Sequence, residues 1–138
     1  MSSEIIYKDA VVIVKESFAE LLICYLLKLT ENDIDDVWLT AARTVWHVNR
    51  EGKGLGMTDL GLDEILRCEI DEHRMLSILD RLTELFSSKG EFIRASEINS
   101  LRPPYTNFCD DVPVEEVRGI VRRVRKLMDA VRDLSAVS

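Results

Sequence analysis

The side chains best equipped for chemistry in this chain gather on one stretch, Glu72 to Ser87, where Arg74, Ser77 and Arg81 fall at i, i+3 and i+7 with His73 beside them. Arginine and serine near the start of a helix are groups that hydrogen-bond base edges and phosphates in a DNA groove. Glu72 and Asp80 lie on the same stretch and would repel phosphate, so a solvated charged face is the simpler reading of it. A second cationic group, Arg118, Arg122, Arg123, Arg125 and Lys126, lies near the C-terminus. Arg118, Arg122 and Arg125 share one helix face at i, i+4 and i+7. Such a row suits phosphate or an acidic partner. More simply, it pairs within the chain with Glu115, Asp129, Asp133 and acids of the first two helices.

Other chemistry is thinly represented. Cys68 and His73 are five apart among Glu64, Glu69 and Glu72, but a metal needs three or four converging ligands, and the only other histidine, His47, lies in another helix. No metal or other cofactor is expected. Arg67 beside Cys68 is offset by Glu69, which argues against a thiol held as thiolate. The phosphate-loop, nucleophile-elbow and zinc-protease patterns are missing, and the glycines from Gly52 to Gly56 follow a helix rather than a strand, so they read as a connector. Asp35-Asp36 and Asp110-Asp111 sit at helix starts, where capping explains them. Trp38 and Trp46 are eight apart on one stripe, more simply core than the wall of an effector pocket. The chain is not expected to be an enzyme.

Composition narrows the partners. The 138 residues carry 18 basic and 25 acidic side chains, a net charge of −7. Residues 1–60 contribute −4, residues 61–109 −3, and residues 110–138 zero. A general phosphate-binding surface is therefore unfavoured, although a local basic stripe is not excluded. Three cysteines without C-x-x-C spacing, Cys24 inside an apolar run, point to reduced thiols and a cytoplasmic setting. Met1 to Glu4 lacks the basic start of a signal peptide. Lys15, Glu16, Glu20 and Lys28 interrupt the stretch Ala10 to Leu29, so it is not expected to cross a membrane.

The elements that must position these groups are mostly helices. Val11, Val14, Phe18, Leu21, Leu22 and Tyr25 predict a first helix from about Ile5 to Leu29. Ile34, Val37, Trp38, Ala41, Ala42, Val45 and Trp46 predict a second, amphipathic helix. Leu62 to Cys68 reads as a short helix, Glu69 to Asp71 as a turn, Glu72 to Ser87 as a longer helix, and Phe92-Ile93-Arg94 as an extended segment. Arg102-Pro103-Pro104-Tyr105 is a loop or polyproline segment. A last helix opens near Pro113 with a wide apolar stripe through Val117, Val121, Val124 and Met128. That stripe suits a seam against the first helix or a second copy. Phe18, Leu22, Tyr25, Val121, Val124 and Met128 are the expected dimer contacts.

Ile65, Ile70, Met75, Leu79 and Leu82 are anchors of the kind that pack two helices steeply through a compact turn. With Trp38 to Arg50 as the preceding helix and Phe92-Ile93-Arg94 as a first wing strand, roughly residues 36–95 resemble the winged helix-turn-helix superfamily. The turn is about one residue shorter than the family's usual form, the second helix about one turn longer, and no second wing strand is visible. The expectation is one mainly α domain over 1–138. It comprises a packing and dimer helix (1–35), a winged-helix-like core (36–95), a loop (96–111) and a C-terminal helix (112–138), with a plain helical bundle as the alternative. The resemblance implies a homodimeric DNA-binding regulator in which His73, Arg74, Ser77 and Arg81 face DNA, Arg94 sits on the wing, and Arg118, Arg122 and Arg125 add phosphate contacts. The rival is an acidic helical module, an adaptor or toxin-neutralising protein, that binds a basic protein partner and no nucleic acid.

Overall fold

In the computed structural model the chain opens with a β-hairpin rather than a helix. Strand β1 (Ser2–Tyr7) pairs antiparallel with β2 (Ala10–Lys15), in a register that sets Ile5 opposite Val12 and Tyr7 opposite Ala10. Lys8 and Asp9 form the two-residue turn with φ of 47° and 70°. Positive φ at both central positions defines the turn whose twist matches paired strands. Ser3, Ile5, Tyr7 and Val14 point inward and are buried. Glu4, Ile6, Val11 and Ile13 make the other face. The expected helix from Ile5 was wrong because Val11 and Val14 satisfy a helical step while Ser3-Ile5-Tyr7 and the β-branched run Val11 to Val14 satisfy a strand. The structure describes residues 2–33, 35–51 and 58–137, with side chains as far as residue 130 in the last helix. The Gly52 to Gly56 connector and Ile34 lie outside the described residues.

Helix α1 (Glu16–Leu29) is the central post, with every residue from Ala19 to Leu27 buried. The hairpin, α2 and α4 all pack on it. Its last turn is closed by Thr30, whose hydroxyl donates to Leu26 O at 2.7 Å, and by Arg43, whose Nη1 donates to Leu27 O at 2.6 Å. A cation on terminal carbonyls complements the helix dipole. Helix α2 (Val37–Glu51) starts at Asp36, whose carboxylate caps the Leu39 amide at 3.0 Å. It buries Leu39, Ala42 and Trp46, and the Trp46 indole donates to Leu60 O at 3.0 Å.

Helix α3 (Leu62–Ile65) is a single turn, shorter than the expected 62–68, and α4 (Glu69–Ser87) begins three residues earlier than expected. Gly61 makes the tight entry possible. Its φ is +66°, and a Cβ there would lie 2.4 Å from Val45 Cγ1. Asp59 ties this entry to the hairpin by accepting the Ile6 amide at 3.1 Å and the Gly61 amide at 3.0 Å. Burial raises the Asp59 carboxyl above its usual pKa, while the hydrogen bonds from Ile6, Gly61 and Leu60 oppose the shift.

Strand β3 (Phe92–Ile93) finds the partner that the sequence did not reveal, β4 (Val112–Pro113), with Phe92 opposite Pro113 and Ile93 opposite Val112. Between them lies α5 (Ala95–Ser100), inside the stretch expected to be loop. Asp111 accepts the Ala95 amide at 2.9 Å, so it caps α5 and not the last helix. The following loop is held from below by Glu20, which is fully buried and accepts the Tyr105 amide at 2.8 Å and the Thr106 hydroxyl. The Asn99 amide clamps Phe108 in both directions at 2.8 Å.

Helix α6 (Val114–Val137) lays its apolar stripe chiefly on α4 and the hairpin. Leu22, Tyr25, Val121, Val124 and Met128, expected at a dimer seam, are each no more than 2% exposed within the single chain. The reason is the hairpin: by replacing the first half of the expected helix, it lets α1 sit in the middle and be covered on all sides by its own chain. Phe18, the remaining expected contact, is only partly buried. Among the described residues the architecture is mainly helical with two small two-stranded sheets.

Candidate functional site

Helix α4 presents one face to the core through Met75, Ile78, Leu79 and Leu82, and the flank adjoining it at Ile78 borders a groove of about 480 Å3. Arg74, Ser77 and Arg81 form one wall of that groove, and Asp33, Asp35 and Asp36 from the α1–α2 connection form the other. Trp38, Leu39 and Ile78 add apolar lining. The Trp38 ring is fixed by its indole N–H, which donates to Ile65 O at 2.7 Å, so it is half-buried instead of lying fully in the core. The sequence therefore located one wall of the groove. It missed the other, because Asp35 and Asp36 were accounted for as caps.

The two walls are bridged. Arg81 Nη1 lies 3.0 Å from Asp33, and Arg74 Nη1 lies 3.9 Å from Asp36. His73 points along its own helix, with Nε2 3.6 Å from Glu69. Ser77 is exposed. Three aspartates against two arginines leave the groove acidic. The acidity deepens toward the start of α4, where Asp63 and Glu64 on α3 precede Glu69, Asp71 and Glu72 in the first turn. Acids there complement the helix dipole and at the same time repel phosphate. Ile70, 64% exposed, stands among them. Glu72 also accepts the Tyr7 hydroxyl at 2.9 Å, which fastens this end of the helix to the hairpin.

The basic row of α6 is paired in the same manner. Glu115 accepts Arg122 Nη2 at 2.5 Å and Arg118 Nη1 at 3.4 Å. The hydrogen bond and charge of Arg122 hold the Glu115 carboxyl below its usual pKa, with Arg118 assisting. Arg125 pairs with Asp80 of α4, and Arg123 Nη2 donates to Ile13 O at 2.8 Å. Glu115 was an expected partner. Asp80 was not, because it was placed on the DNA-facing side of α4. Arg94 is exposed at the end of β3 and does not line the groove. The structure thus gathers Arg74, Ser77 and Arg81 into one site and leaves Arg94 and the α6 arginines outside it.

Cys68 and Cys109 are exposed free thiols, while burial pushes the Cys24 thiol up to about 11. Among the described residues no three histidine, cysteine or acidic side chains converge to hold a metal. No described helix is long and apolar enough to cross a membrane. No family model, curated protein or solved structure matches this chain.

Proposed function

We propose that the chain is an acidic, helical protein-interaction module whose α4 groove receives a basic segment of a partner protein. One observation carries this reading: the arginines best placed to meet phosphate, Arg74, Arg81, Arg118, Arg122 and Arg125, each lie against a carboxylate of their own chain. A duplex would have to displace those carboxylates and also approach the acidic first turn of α4. A partner's arginine or lysine would enter a groove whose three aspartates outnumber its two arginines, with the Trp38 ring for its stem.

A winged-helix DNA-binding regulator is the second reading. It is favoured by the α2–α3–α4 order followed by the β3–β4 ribbon with Arg94 exposed beside it. Fluorescence anisotropy separates the two. A labelled arginine-rich peptide and a labelled DNA duplex are titrated with the protein across a salt series. The module reading expects salt-sensitive peptide binding that weakens in the Asp35→Asn, Glu69→Gln variant, with no duplex binding at low salt. Duplex binding lost on Arg94→Ala would reverse the order of the readings.

A further inference from the structure

The two arginines of the α4 groove are held in different ways. Arg81 is clasped: its Nη1 lies 3.0 Å from Asp33, and its Nη2 donates to Leu29 O, the last carbonyl of α1, at 3.4 Å. It ties α4 both to the end of α1 and to the connection that follows. Arg74 is held loosely. Its Nη1 stops 3.9 Å from Asp36 Oδ1, beyond hydrogen-bond reach, and that same oxygen already accepts the Leu39 amide at 3.0 Å. Both side chains of this pair are open to water, Arg74 by 47% and Asp36 by 40%. Asp35 beside them is exposed and, among the described residues, pairs with no cation.

An ion pair so long and so open resists exchange weakly. Even surface pairs of good geometry are worth about fivefold at most in a binding constant, and salt screens them further. Arg74 is also limited by its anchor on α4, which fixes the direction of its approach. A partner's guanidinium arrives from solvent without that anchor. Its planar fork can close on carboxylate oxygens of Asp35 and Asp36 through short, charge-assisted hydrogen bonds that Arg74 does not make. The Trp38 ring, held by Ile65 O, supplies a face beside them. The loose cation therefore gives way to the better-bonded one. Arg81 has two contacts to lose and stays.

We infer that Arg74 is an internal stand-in for the partner's cation: it covers the Asp36 end of the α4 groove while the groove is empty and swings into solvent when a partner's arginine takes its place. This rests on the groove's being the seat of a basic partner segment, and adds how that seat is regulated. Arg81 has the other part, keeping the Asp33 wall against α4 in both states. A seat partly covered by its own chain binds more weakly by the fraction covered. Arg74 thus sets a threshold that a bidentate arginine of the partner passes and a lone simple cation does not.

Fluorescence anisotropy with a labelled arginine-rich peptide tests it on three chains: wild type, Arg74→Gln and Arg118→Gln. Arg74→Gln should tighten binding about threefold to fivefold at low salt, and the gain should shrink as salt is added. Arg118→Gln removes the same charge from outside the groove and should change the affinity less than about twofold. In side-chain NMR spectra of the wild type, the Arg74 Nε–H resonance should move on peptide addition while that of Arg81 stays. Peptide binding that Arg74→Gln leaves unchanged or weakens would overturn the inference and leave the groove reading standing. So would an equal gain from Arg118→Gln, which would reduce the effect to net charge. A peptide that binds neither the wild type nor Arg74→Gln would overturn the groove reading and this inference with it.

Discussion

Replacing Gly61 with alanine tests the junction that sets α3 and α4 against α2. Two costs act together. Gly61 has φ +66°, where an L side chain costs about 1–2 kcal/mol. The new Cβ would also lie 2.4 Å from Val45 Cγ1, against 3.4 Å or more in ordinary contact. Overpacking of that kind costs about 1–3 kcal/mol. The reduced freedom of the unfolded chain returns about 0.4–1 kcal/mol. The net is about 3 kcal/mol, a fall in Tm of roughly 10 °C for a domain of this size. Urea denaturation of the variant gives the value directly. The steric part belongs chiefly to Val45 Cγ1, with Asn49 Nδ2 next at 3.3 Å, so in a Val45→Ala background the penalty for Gly61→Ala should shrink toward the backbone part less the unfolded-state return, about 1 kcal/mol. A single variant within about 0.5 kcal/mol of wild type, or a penalty unchanged by Val45→Ala, would refute the reasoning.

Three further outcomes follow from the buried polar groups. Glu20→Ala leaves the Tyr105 amide and the Thr106 hydroxyl without their acceptor in a fully buried place, so a loss of about 3 kcal/mol is expected. Hydrogen exchange at Tyr105 should accelerate, and unchanged protection there would show that the loop is held by something else. Burial, followed by hydrogen bonds to Glu72 and Glu97, raises the Tyr7 and Tyr25 hydroxyls well above the usual tyrosine pKa. Raised folded values mean stability that is complete below the unfolded pKa of about 10 and is lost as pH climbs toward the folded ones. Phenolate absorbance from these two residues should therefore appear only with alkaline unfolding, and their ionisation near pH 10 in the intact fold would contradict this. Thiol labelling of the native protein should stop at Cys68 and Cys109, with Cys24 reacting only on unfolding.

Helices whose apolar positions recur at three and four could be read from the chain alone. Trp38 to Trp46 and Val114 to Met128 lie where that spacing put them. The hairpin was hidden because Val11, Val14 and Phe18 also fit a helical step, and because Lys8-Asp9 lacks the glycine that usually announces a two-residue turn. Strand β4 is two residues long and pairs across α5, so no local pattern encodes it. At the candidate site, Arg74, Ser77 and Arg81 were legible as one helix face. Their aspartate counterparts were not, because the pairing of Arg81 with Asp33 spans 48 residues and depends on how α4 crosses the α1–α2 connection. Leu22, Tyr25, Val121, Val124 and Met128 were expected to meet a second copy and are covered within the single chain: how greasy a helix is tells that it must be covered, not which chain covers it.

The claim that the α4 groove binds a cationic partner segment is tested most directly by a heteronuclear NMR titration with an arginine-rich peptide. Shifts are expected along Asp33 to Leu39, at the Trp38 indole N–H, and along Glu69 to Arg81, and they should fade with added salt. Shifts that bypass the groove, or a peptide that leaves the spectrum unchanged while a DNA duplex moves Arg94 and the β3–β4 ribbon, would contradict the account.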